Sequence, residues 1–122
     1  MIYNNEMKKK IAIIDDELTV RETVKEMILL QFVVEIYCFS SVDEFLESLN
    51  YNDYSLVLSD IHMPSGSGLI LLENKKLDNL PIVFMSGFSD FIPKNLDITL
   101  LRKPLGMSDL VHLLASYLEK SA

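Results

Sequence analysis

The chain has no tryptophan, one cysteine, four glycines and four prolines in 122 residues. The lone Cys38 lies in the apolar run VVEIYCF, where it is expected to be a buried small hydrophobe rather than a ligand or nucleophile. Basic charge is scarce: 11 Lys and Arg stand against 18 Asp and Glu, for a formal charge of −7. Binding nucleic acid through phosphate contacts needs clustered Lys and Arg. The one basic cluster, Lys8 to Lys10, is expected to solvate a frayed start, so no direct nucleic-acid binding is expected. No apolar run approaches the roughly 20 residues of a membrane helix. The start MIYNNEMKKK leads into IAIIDDE, which turns acidic where a secretory segment would stay apolar. A cytoplasmic protein with no membrane contact is expected. Repeats, low-complexity segments and linkers are also missing, so residues 1–122 read as a single domain. An apolar content of 49% is enough to build a real core and excludes a disordered polypeptide.

What is present is an alternation. Short runs rich in Val, Ile, Leu and Phe predict strands near residues 10–15, 33–38, 55–60, 81–86 and 98–102. Between and after them, apolar residues recur at helical spacing: Val20, Val24, Met27 and Ile28; Val42, Phe45, Leu46 and Leu49; Leu69, Leu72 and Lys76; and Leu110, Leu113, Leu114, Tyr117 and Leu118. A βαβα order implies an α/β fold with a doubly wound parallel sheet and right-handed crossovers. One interval is too short. Between Ser86 and Lys103, Pro93 interrupts any helix and a strand must begin by Ile98, so the fourth helix is expected to be short or absent, a turn at most around Ser89 to Ile92.

Four of the strand runs end in polar groups: IAIIDD at Asp15 and Asp16, LVLSD at Asp60, IVFMS at Ser86 and ITLLRKP at Lys103. Ligands of such sheets bind beyond the carboxyl ends of the strands, so three carboxylates, a hydroxyl and an ammonium would share one edge. Each has an ordinary reading. Asp16 and Glu17 would suit a helix start, Asp60 and Ser86 a turn, and Lys103 a solvated surface. Against this, crowded carboxylates stay ionised together most easily around a cation, and magnesium takes oxygen ligands.

At these residues the chain resembles the receiver domain of two-component response regulators, over roughly residues 8–119. The resemblance rests on Asp15 and Asp16 after the first strand, Asp60 leading to Met63, Pro64 and Gly68, Ser86 with Gly87, and Lys103 with Pro104. It implies a flavodoxin-like five-stranded parallel sheet in the order 2-1-3-4-5. It further implies that Asp60 is the phosphoacceptor and that Asp16, Asp60 and the backbone carbonyl of His62 bind Mg2+, with Asp15 acting through a water. Lys103 and Ser86 would contact the phosphoryl group, and Lys103–Pro104 is a candidate cis peptide. His62 and Phe88 occupy positions that in this family tune the lifetime of the acyl phosphate, the large Phe88 ring being suited to hinder water. The partners implied are a histidine kinase or histidine phosphotransfer protein and a downstream protein target. If the chain is a whole gene product it acts through protein contacts alone; if a fragment, an effector would follow Ala122.

Two features depart from the family. Ser86 and Lys103 lie closer together than is usual, and Leu100 stands where an aromatic is common. Phosphorylation chemistry is expected to survive these changes better than the usual readout, with loop repositioning over residues 86–97 replacing a rigid helix shift. A competing enzyme reading is a haloacid dehalogenase-type phosphatase, since DDELT has that family's acid, spacer, acid, spacer, Thr pattern. It lacks a further acidic motif after Lys103, as only Asp109 and Glu119 follow. It would place the phosphoryl group on Asp15 instead of Asp60.

Overall fold

The computed structural model describes residues 8–48, 51–87, 92 and 95–118. Its elements are β1 (Lys10–Ile14), α1 (Leu18–Leu29), β2 (Glu35–Phe39), α2 (Val42–Glu47), β3 (Leu56–Asp60), β4 (Ile82–Ser86), β5 (Thr99–Arg102) and α3 (Met107–Leu118). Short 3-10 helices cover Tyr51–Asp53, Gly68–Glu73 and Lys75–Leu77. All strand pairs are parallel, in the order β2-β1-β3-β4-β5, as expected.

Alternation along each strand divides the core into two layers. Ile11 and Ile13 of β1 face one side with Leu56 and Leu58, Val83 and Met85, where α1 contributes Val24 and Ile28 and α3 contributes Leu110, Leu114 and Leu118. Ala12, Ile14 and Val57 face the other side with Val42 and Phe45 of α2, Met63, Leu71 and Leu77. The central strands are covered on both faces, and β3 is buried along its whole length. Local signals set the ends of α2. The Ser41 hydroxyl accepts the Glu44 N–H at 3.1 Å while the Glu44 carboxylate accepts the Ser40 N–H at 2.7 Å, a near capping box.

Several expectations are corrected. The second strand begins at Glu35, because pairing starts at Lys10 with Glu35 and leaves Val33 outside the sheet and 81% exposed. Cys38 is exposed, since β2 is an edge strand with no neighbour on its outer side. The face marked by Leu69, Leu72 and Lys76 is not the buried one. That segment winds as 3-10 turns of three residues, so Gly68, Leu71 and Leu77 point inward while Leu72 and Lys76 are exposed. The basic start is less free than expected: Lys10 opens β1, and the Lys9 ammonium donates to the Leu118 carbonyl at 2.6 Å, a cation at the end of α3. Among the described residues no helix lies between β4 and β5, and Ile92 is in no element; Leu49, Ser89 and Pro93 fall outside the described residues. Among the described residues no helix is long and apolar enough to cross a membrane.

Leu114 has no exposed surface at the contact of α3 with the sheet. Leu114→Ala is expected to cost about 2–5 kcal/mol through lost burial and the cavity left behind. Leu72→Ala, at a side chain 44% exposed, should stay within about 0.5 kcal/mol of the parent. Denaturant midpoints of the two variants check both values.

Candidate functional site

The carboxyl ends of β1, β3, β4 and β5 meet at one edge of the sheet. Asp15 follows β1 directly, and its N–H donates to the Phe39 carbonyl at 3.0 Å, continuing the ladder to β2. Its carboxylate is fully buried; Oδ1 accepts the Glu17 N–H at 3.0 Å and Oδ2 accepts the Lys103 ammonium at 2.8 Å. Asp16, next in the chain, faces outward and is exposed. Asp60 ends β3 with 4% exposure, and its Oδ2 lies 3.1 Å from the Lys103 Nζ. Oxygens of Asp15, Asp16 and Asp60 all lie within 4.8 Å of one another. One ammonium therefore bridges two of three clustered carboxylates.

Backbone packing fixes the end of β3. The Ile61 N–H donates to the Met85 carbonyl at 3.0 Å, and the Gly68 N–H donates to the Ile61 carbonyl at 2.8 Å. Gly68 allows this approach because a Cβ there would collide with the Asp60 carbonyl oxygen and the Ser59 hydroxyl. Gly66, at φ 137°, turns the loop in a region that L side chains rarely adopt. The His62 side chain is exposed, and its backbone N–H bonds the Asp60 carboxylate.

Charge and burial act against each other here. Burial, followed by the nearby Asp15 charge, raises the Asp60 carboxyl above the ordinary carboxylate range, and Lys103 only partly offsets this. For Lys103, burial alone would lower the ammonium, but the bonds and charges of Asp15 and Asp60 leave it raised.

Ser86 ends β4 with no exposed surface, and its hydroxyl donates to the Gly87 carbonyl at 3.0 Å. The Lys103 N–H donates to the Ser86 carbonyl at 2.8 Å, holding the end of β4 against β5. The Lys103–Pro104 peptide is cis, as expected. Phe88 lies outside the described residues. Leu100 pairs with Phe84 and is half-buried.

Two contributors were not singled out in the sequence. The Arg21 guanidinium donates to the Asp15 backbone carbonyl at 2.6 Å, bracing the turn that presents Asp16. Its signal was position: four residues past Glu17 on a helix whose side chains lean toward its start. Arg102 donates to the Gly87 carbonyl at 3.4 Å. Its signal was a charge inside the otherwise apolar run ITLLR.

The three carboxylates offer an all-oxygen donor set, which fits a hard divalent cation such as magnesium. A family model described as the response regulator receiver domain matches residues 11–115. The chain is 31% identical over 87 residues to the transcriptional regulatory protein CrdR of Helicobacter pylori, covering 69% of this chain and 40% of that protein. It is 30% identical over 112 residues to an uncharacterized response regulatory protein of Staphylococcus epidermidis, covering 86% and 45% respectively. A solved receiver domain protein from Clostridium thermocellum superposes with a TM-score of 0.73 at 29% identity, covering 93% of this chain and 96% of that one. The chain thus spans less than half the length of these curated relatives.

Because the Asp60 pKa is raised on folding, ionising this group costs stability, and its contribution declines as pH rises through the raised value. Asp60→Asn should therefore be more stable than the parent near neutral pH without divalent cations. The gain should narrow as pH falls toward the ordinary carboxylate range. Urea midpoints across pH check this, and a variant less stable at neutral pH would refute it.

Proposed function

The chain belongs to the response regulator receiver domain family, and on that premise we propose that it is a magnesium-dependent phosphoacceptor switch that receives a phosphoryl group on Asp60. The observation that carries this reading is the Lys103 ammonium, 2.8 Å from Asp15 and 3.1 Å from Asp60 within a cluster of three carboxylates. Residues 1–122 would act as one receiver domain. The family is one of signalling modules rather than typical enzymes, so the chemistry is the protein's own modification.

Asp16, Asp60 and the His62 carbonyl would hold magnesium, with Asp15 acting through a water. The bound ion would offset negative charge as nucleophile and phosphoryl oxygens approach. Asp60 supplies the attacking oxygen. Its bond to phosphorus forms as the phosphorus–nitrogen bond of a phosphohistidine breaks, and that electron pair leaves on the donor imidazole. Lys103 moves from neutralising the carboxylates to neutralising a phosphoryl oxygen, a change its single flexible ammonium makes without a new backbone position. The Ser86 hydroxyl turns from the Gly87 carbonyl to a second phosphoryl oxygen. His62 and, by the family resemblance, Phe88 would set how readily water reaches the acyl phosphate.

Asp15 is poorly suited to be the nucleophile. It is fully buried, and both its carboxylate oxygens accept hydrogen bonds. The donor would be a histidine kinase or histidine phosphotransfer protein in the cytoplasm, and the output a protein contact, with neither nucleic acid nor membrane bound directly. Beside Lys103, the side chains of Val20, Met27, Pro104 and Leu105 line an apolar groove between α1 and the loop entering α3, which supports a protein donor.

Incubation with a small phosphodonor and magnesium should give a base-labile adduct that mass spectrometry maps to Asp60. Asp60→Asn should carry none. An adduct on Asp15, or equal labelling of the variant, would overturn the assignment.

A further inference from the structure

The β4–β5 register pairs Phe84 with Leu100 and Ser86 with Arg102, and paired residues of parallel strands share a face. Leu101, between Leu100 and Arg102, packs with α1 and α3, so Ser86 and Arg102 lie on the opposite face. This is the face on which a receiver would ordinarily carry an aromatic at position 100. Leu100 has no polar end with which to register a rotation of the Ser86 hydroxyl. Arg102 does, and it already reaches the same acceptor. The Gly87 carbonyl takes the Ser86 hydroxyl at 3.0 Å and the Arg102 guanidinium at 3.4 Å, the nearer donor being the one that phosphorylation would withdraw.

We propose that Arg102 is a positioning residue that takes over the Gly87 carbonyl when the Ser86 hydroxyl turns to a phosphoryl oxygen. This rests on the phosphoacceptor reading above. A carbonyl that loses a donor must be satisfied again or its loss opposes the change. Arg102 keeps a charged donor on that oxygen, so withdrawal of the hydroxyl is less costly and the phosphoryl-bound arrangement is favoured. The same transfer tightens the link between the end of β5 and the residue after Ser86. In this chain a hydrogen-bond handover replaces the turning of an aromatic ring.

A ligand shifts such an equilibrium only through contacts that differ between the two arrangements, so the coupling must run through Ser86. The test is a double-mutant cycle with beryllofluoride and magnesium as the phosphoryl mimic, on the parent, Arg102→Met, Ser86→Ala and the double variant. Arg102→Met keeps the apolar stem and removes the donor; Arg102 is exposed, and thermal melts confirm that each variant folds. Arg102→Met should weaken mimic binding about fivefold, the lower end of common coupling strengths, and leave magnesium affinity alone unchanged. Arg102→Lys should restore most of the loss, and in the Ser86→Ala background Arg102→Met should have no further effect. Equal binding by the parent and Arg102→Met, or an equal loss with and without Ser86, overturns the role of Arg102. A parent that fails to bind the mimic, or binds it equally well as Asp60→Asn, overturns the phosphoacceptor reading and this inference with it.

Discussion

Lys103 joins the ends of three other strands, two through the charge of its ammonium and one through its backbone. Its Nζ reaches the carboxylate after β1 and the one ending β3, while its own backbone N–H is bonded to the end of β4. At an effective dielectric constant of about 20, opposite charges ~3 Å apart attract by about 5 kcal/mol and like charges ~5 Å apart repel by about 3 kcal/mol. One ammonium shared between two carboxylates therefore outweighs the repulsion of that pair. It does not neutralise the group, since three carboxylates and one ammonium leave two negative charges. Burial of Asp60 and the charge of Asp15 beside it raise the Asp60 pKa, so the Asp60 proton is held more tightly than in an ordinary carboxyl. The edge of the sheet thus gathers three carboxylates that could hold a divalent cation, with Lys103 between two of them.

Much of this was readable because a parallel sheet gathers strand ends on one edge. Asp15, Asp60, Ser86 and Lys103 each follow an apolar run, and no other element had to be placed to bring them together. The strand order followed from the resemblance, whereas the division of Ile11 and Ile13 from Ala12 and Ile14 between two core layers is seen in the structure, the run itself being apolar throughout. What was misread depended on neighbours that a local pattern does not contain. Cys38 sits in as apolar a run as the central strands, yet β2 lies at the edge of the sheet. Leu69, Leu72 and Lys76 match a helical spacing, but the approach of Gly68 to the Asp60 carbonyl starts a tighter winding that buries Leu71 and Leu77 instead.

The same limit explains Arg21 and Arg102. Both act through backbone carbonyls, Asp15 for one and Gly87 for the other, and a carbonyl carries no mark in the sequence. Their effect is nevertheless local to the chemistry. Arg21 steadies the turn from which Asp16 faces outward, and Arg102 meets the residue after Ser86. Both hydrogen bonds lie at the ends of strands, where the polar groups of the site gather.

The central claim is that Lys103 and magnesium compete for one set of carboxylates, with Lys103 serving the phosphoryl group once the ion is bound. Magnesium affinity of the unphosphorylated protein, followed by NMR titration in the parent, Asp16→Ala and Lys103→Met, tests it most directly. Lys103→Met should bind magnesium at least as tightly as the parent, because a competing cation is gone, while Asp16→Ala should bind at least about tenfold more weakly. Loss of magnesium binding in Lys103→Met, with Asp16→Ala unaffected, would contradict the account.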